Sequence, residues 1–193
     1  MKKEDDDKNV YLVSSSSIEP FMGTLYDFAE SGTFPSVTSA TITDVKVDKE
    51  NGYELTQDAD NLFWNVSDGK TTEKADTTKA GTVTSAVGSL AYDKFVDYNC
   101  TDDSKYGFDD PYAVITVKYT EDEQETQTVE KTLTIYVGDE TGDDRYVKID
   151  DSKEVYTITK DSLTDILDST MSDFYNLSVS YVSVNDLDSL EVQ

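Results

Sequence analysis

Residues 112–167 read YAVITVKYTEDEQETQTVEKTLTIYVGDETGDDRYVKIDDSKEVYTITKDSLTDIL. β-Branched and aromatic residues concentrate in four runs, Tyr112 to Tyr119, Lys131 to Val137, Arg145 to Ile149 and Glu154 to Ile158. Short runs of this composition, bounded by Gly and Asp, are strand signals. The polar stretch 120–126 and the pairs Gly142-Asp143 and Asp150-Asp151 separate them as turns, so the four predict an antiparallel meander. Leu163, Ile166 and Leu167 then recur at helical spacing behind Asp161, which predicts a helix over 160–171.

Upstream, Val37 to Val47 reads as a strand and Asn51-Gly52 as a tight hairpin turn. Short strands follow at Tyr53 to Thr56 and Leu62 to Val66, the second ended by Asp68-Gly69. Val83, Val87, Leu90 and Ala91 mark a helix at about 74–91, weakened by Gly81 and Gly88. A strand at Ala91 to Asp97 and a polar connector at 98–111 lead into the meander, and 177–192 is extended. Antiparallel hairpin and meander sheets with about three helices make an α+β fold. Core candidates are Tyr11, Ile18, Phe21, Leu25, Val45, Trp64, Val87, Leu90, Ile115, Val117, Leu133, Ile135, Val155, Leu163 and Leu167.

The two ends of the chain resemble each other. At an offset of 145, Lys3, Asp5, Asp6, Lys8, Val10 and Tyr11 match Lys148, Asp150, Asp151, Lys153, Val155 and Tyr156. Ser17 matches Ser162, while Ile18, Phe21 and Met22 face Leu163, Ile166 and Leu167. Further on, Val37, Ile42, Val45 and Val47 line up with Val182, Leu187, Leu190 and Val192. The shared pattern is strand, helix, strand, a sign of internal repetition. It predicts two related lobes, with 1–47 as the C-terminal part of a preceding unit and 48–193 as a second unit. A unit starting near Met1 starts in mid-hairpin, so the chain is expected to be a segment of a longer parent.

Composition narrows the function. Of 193 residues, 41 are acidic and 16 basic, a net charge of −25 that repels nucleic-acid phosphates and anionic headgroups. Yet 13 Tyr and 7 Phe are too many for an acidic disordered chain. There is no His, so the commonest general base and transition-metal ligand is missing. The single cysteine, Cys100, has no intrachain partner and is followed by Thr-Asp-Asp, which raises a thiol pKa; it reads as structural. No stretch is long and apolar enough to span a membrane, so this segment is not expected to insert directly.

The run SKYGFDDPYAVITVKY at 104–119, the strand TLTIYVGD at 132–139 and the hairpin and helix DDRYVKIDDSKEVYTITKDSLTDIL at 143–167 together resemble the bacterial domain of unknown function 4340 family. Phe63-Trp64-Asn65-Val66 and the helix after it fit the same pattern, over about 40–170. Phe108 stands where Leu is usual, and the acidic stretch 120–126 is longer. The resemblance implies an extracytoplasmic protein, membrane-tethered through a segment absent from this chain and encoded beside ABC-transporter components. It carries over no catalytic residue.

Site candidates are few. The turn Tyr106, Gly107, Phe108, Asp109 and Pro111 is the candidate interaction surface, against the plainer role of a structural turn. Asp139, Glu140, Asp143, Asp144, Asp150 and Asp151 could offer oxygen ligands to calcium, but no loop follows a calcium-loop pattern, so no metal or cofactor residue is assigned. Phe63 and Trp64 should split, one ring inward and one outward. The sequence therefore predicts a non-catalytic binding or scaffolding module serving an envelope or membrane protein, conceivably ABC-transporter components. A cell-envelope glycan-binding domain is the alternative, and a carboxylate-based hydrolase comes third.

Overall fold

The computed structural model describes residues 12–23, 32–58, 63–124 and 127–175. Nine strands form one fully antiparallel sheet: β1 (Ile42–Asp48), β2 (Tyr53–Gln57), β3 (Trp64–Ser67), β4 (Thr72–Lys74), β5 (Lys94–Asp97), β6 (Ala113–Gln124), β7 (Gln127–Thr141), β8 (Asp144–Ile149) and β9 (Val155–Thr159). Their order is β4-β3-β2-β1-β6-β7-β8-β9-β5. The α-helices among the described residues are α1 (Ser15–Ile18), α2 (Thr77–Gly88) and α3 (Lys160–Leu167). This is the α+β arrangement that the strand runs predict. β1, the last element of the sequence-defined first unit, pairs with β2 on one side and β6 on the other. Both parts of the chain therefore share one continuous sheet.

Turn chemistry sets the registers. Asn51 adopts a positive φ of 56° between β1 and β2, and Asp150 one of 45° between β8 and β9. Both are residue types that tolerate the left-handed region. Asp150 also ties its turn to β7: its N–H donates to the Thr134 carbonyl at 2.8 Å, and its carboxylate accepts from the Thr134 N–H at 2.8 Å.

Alternation along the strands gives the sheet two packed faces. On one face Val45, Val47, Leu55, Trp64, Ile115, Val117, Ile135 and Ile158 form the main core with α2 and α3. α2 presents Ala80, Val83, Thr84 and Val87 to it, a spacing that puts all four on one side of the helix. The Asp76 carboxylate caps α2 by accepting from the Thr78 and Lys79 N–H groups at 2.9 and 3.1 Å. α3 buries Leu163, Ile166 and Leu167.

α3 stops at Leu167, four residues before the expected end. Its last carbonyls are taken from outside: the Tyr53 hydroxyl donates to Ile166 O at 2.9 Å, and the Lys49 ammonium donates to Leu167 O. Thr170 and Asp173 then form a capping box on a new 3-10 turn, Met171–Phe174, whose Phe174 ring lies 4.7 Å from that of Tyr53. α2 likewise occupies only 77–88, because Thr72–Lys74 pairs with β3 as an edge strand.

Most core candidates are buried as expected. Phe21 is not: it is exposed, and Ile18 is half-buried. Both lie on α1 and the 3-10 turn after it, outside the two packed faces. Val155 is buried, but on the face opposite the helices. Tyr11, Leu25 and the extended stretch 177–192 lie outside the described residues.

Candidate interaction surface

The second face of the sheet is only partly covered. Residues 98–111 cross it at the β7-β8-β9 end, where Cys100, Tyr106 and Phe108 pack on Tyr136, Tyr146 and Val155. The Tyr106 ring meets that of Tyr146 edge-on at 4.9 Å, and its hydroxyl donates to Asp97 at 2.9 Å. The Tyr106 carbonyl accepts from the Asp139 N–H at 2.9 Å, and the Phe108 N–H donates to Asp103 O at 2.9 Å. Gly107 turns the chain with φ 75°, and an added Cβ there would lie 2.6 Å from the Asp139 carboxyl.

Of the turn singled out in the sequence, Tyr106, Gly107 and Phe108 therefore point inward and hold the connector down. Asp109 and Asp110 are exposed and Pro111 is half-buried. What this turn offers to solvent is carboxylate, not aromatic surface. Beside it lies a hollow of about 360 Å³ lined by Cys100, Asp103, Phe108, Tyr136 and Lys148 among others. Lys148 donates to Asp103 at 2.7 Å and lies 5.0 Å from the Phe108 ring centre. The ammonium holds the Asp103 carboxyl below its usual pKa. Burial pushes the Cys100 thiol up, and its Sγ donates to Asp102 O at 3.4 Å. A buried thiol with a raised pKa is a packing group.

The acidic hairpin ends are tied to cations of the fold. Asp144 accepts from Lys94 at 2.7 Å, which lowers its pKa. Glu140 bridges Arg145 at 2.7 Å and Lys160 at 3.2 Å, and the Arg145 guanidinium lies over the Tyr112 ring at 3.7 Å. Among the described residues no group of three or more acidic or cysteine side chains gathers as a metal cage. The Phe63–Trp64 pair splits as alternation predicts: Trp64 is buried, while Phe63 lies outside under the Lys74 ammonium, 3.2 Å from its ring centre.

The feature missed in the sequence is the β6–β7 arm. β1 stops pairing with β6 at Tyr119, and β8 stops pairing with β7 at Ile135. The two strands continue alone, with Thr120 opposite Glu130, Glu121 opposite Val129, Asp122 opposite Thr128 and Gln124 opposite Gln127. Five residues at about 3.4 Å each carry the ribbon roughly 17 Å past its neighbours. Residues 120–126 are thus mostly strand rather than loop. The alternation Thr116, Lys118, Thr120, Asp122 was the available signal, hidden because neither face of the ribbon is apolar.

The family model described as "Domain of unknown function (DUF4340)" matches residues 1–111 and, in a second match, residues 64–193. The matches overlap at 64–111 and between them cover the chain, as an internal repeat would produce. No curated protein and no solved structure matches it. On the strength of a family model that spans its whole length, this chain belongs to the DUF4340 family.

Proposed function

We propose that the chain is a non-catalytic, extracytoplasmic binding or scaffolding module that serves a membrane transport assembly, contacting its partner through the β6–β7 arm. The arm carries this reading. A two-stranded ribbon that leaves its sheet fixes backbone without gaining core, so its ordering must be repaid elsewhere. Among the described residues no strand pairs with either edge beyond Tyr119 and Ile135, the geometry that adds to a partner's strand. Glu121, Asp122 and Glu130 are exposed acids on it, and the chain as a whole carries −25. The complementary partner is a basic face on an envelope or membrane protein.

Charge reversal on the arm tests this. Glu121→Lys, Asp122→Lys and Glu130→Lys together should abolish recovery of a membrane-transport component from native envelope extract, with the melting temperature preserved. Equal recovery by variant and parent, or recovery of no envelope protein by either, would refute the proposal.

A further inference from the structure

Among the described residues, one stretch of apolar side chains is left largely exposed. Val13, Phe21 and Met22 are 42, 81 and 75 % exposed, and Ile18 is half-buried. Four such side chains fall within ten residues, a concentration of exposed apolar surface that points to an interaction site.

Their counterparts at an offset of 145 are Ile158, Leu163, Ile166 and Leu167, exposed by 0, 1, 0 and 4 % in the main core. Backbone geometry repeats along with the sequence. α1 begins after Ser14 at φ −58°, ψ 138°, and α3 begins at the equivalent place after Thr159 at φ −64°, ψ 140°. A hydroxyl pair sits at each start, Ser14 with Ser16 at 2.6 Å and Thr159 with Ser162 at 2.8 Å. After α1 the 3-10 turn Glu19–Phe21 continues over positions equivalent to the rest of α3. The helix start that follows Thr159 thus has a counterpart after Ser14, one buried against the sheet and the other exposed.

We infer that residues 12–22 are the closing corner of a second DUF4340 unit, and that Val13, Ile18, Phe21 and Met22 pack on that unit's sheet as Ile158, Leu163, Ile166 and Leu167 pack on this one. The occupant is a unit preceding this one on the same polypeptide. A second copy of this chain does not fit, because its equivalent seat already holds its own α3. The two overlapping family matches hint at the internal repeat on which the inference rests. The junction so formed makes the protein a tandem array of such units.

Hydrogen–deuterium exchange on the natural full-length polypeptide and on the 193-residue chain tests this. Amides of 12–22 should exchange within seconds to minutes in the chain and at least about tenfold more slowly in the full polypeptide. Phe21→Asp with Met22→Asp should abolish that protection while leaving the chain's own melting temperature unchanged. Equal exchange in both molecules would overturn the inference. So would protection in the chain alone: if it grows with concentration the occupant is a second copy, and if not the corner packs on its own unit. A natural polypeptide with no preceding unit overturns it directly.

Discussion

Replacing Gly138 with alanine should lift the 98–111 connector from the sheet. A Cβ at Gly138 would lie 2.0 Å from the Tyr106 carbonyl oxygen and 3.0 Å from the Phe108 ring. Carbon and oxygen do not approach within about 3.3 Å, so the two chains must separate by roughly 1.3 Å. β7 cannot retreat freely, because Arg145 donates to Gly138 O at 3.0 Å and stacks on Tyr112. The connector therefore moves. It loses the Asp139-to-Tyr106 hydrogen bond of 2.9 Å, worth about 1–3 kcal/mol where its ends stay buried. Forcing a methyl into a filled contact adds about 1–3 kcal/mol. The total, about 2–6 kcal/mol, should lower the urea midpoint by about 1–3 M for a domain of this size. Cys100 supplies an internal reporter, since its thiol is buried in the same connector. An opening made easier by about 2 kcal/mol raises its labelling rate under native conditions roughly thirtyfold. An unchanged urea midpoint together with an unchanged thiol rate would refute the claim that Gly138 is the seat of the connector.

Four further substitutions probe the opposite face and the carboxylates. Tyr53→Phe removes the donor to Ile166 O and should cost about 1–2 kcal/mol in chemical denaturation, with the Phe174 ring contact retained. Asp76→Ala removes the α2 cap and should cost about 1 kcal/mol, whereas Gly81→Ala, at an open position in the same helix, should add about 0.5–1 kcal/mol. Asp44 is buried on β1, facing Lys118 at 3.6 Å with Glu54 and Glu130 nearby, and burial raises its pKa above the usual 3.8. A raised carboxyl contributes stability below its unfolded value and loses it as pH rises through its folded value. Asp44→Asn should therefore melt higher than the parent at pH 7, with the gap closing below about pH 3.8; a lower melting temperature at pH 7 would show that the Lys118 pair outweighs burial.

The strands that could be read from sequence are those with one face in a core. Ile115 and Val117 on β6, Leu133 and Ile135 on β7 and Val155 on β9 announce themselves because burial requires apolar residues there. β4, exposed at all three residues, carries no such mark and is not predicted as a strand. The arm beyond Tyr119 failed for the same reason. The Tyr106–Pro111 turn was conspicuous as a sequence, but its direction was not. Whether its rings face in or out depends on a glycine some thirty residues later, and pairing Gly107 with Gly138 requires knowing that the connector crosses β7.

The acidic hairpin ends show the converse limit. As a sequence, Asp139 to Asp151 looks like a supply of oxygen ligands. In the fold, each of three carboxylates there or nearby meets a cation from a distant or neighbouring strand: Asp144 meets Lys94, Glu140 meets Arg145 and Lys160, and Asp103 meets Lys148. With 16 cations against 41 acids, placing them at these crossings concentrates attraction where the connector, β5 and α3 join the meander. The uncompensated acid is left on the surface, including the arm. Sheet, helices and connector are thus locked to one another by packing and by scarce positive charge. Outside that lock stand the arm, where Glu121 meets Lys131 of the same ribbon at 2.5 Å, and the exposed side chains of the Val13–Met22 corner, and these are where contacts beyond this unit are expected.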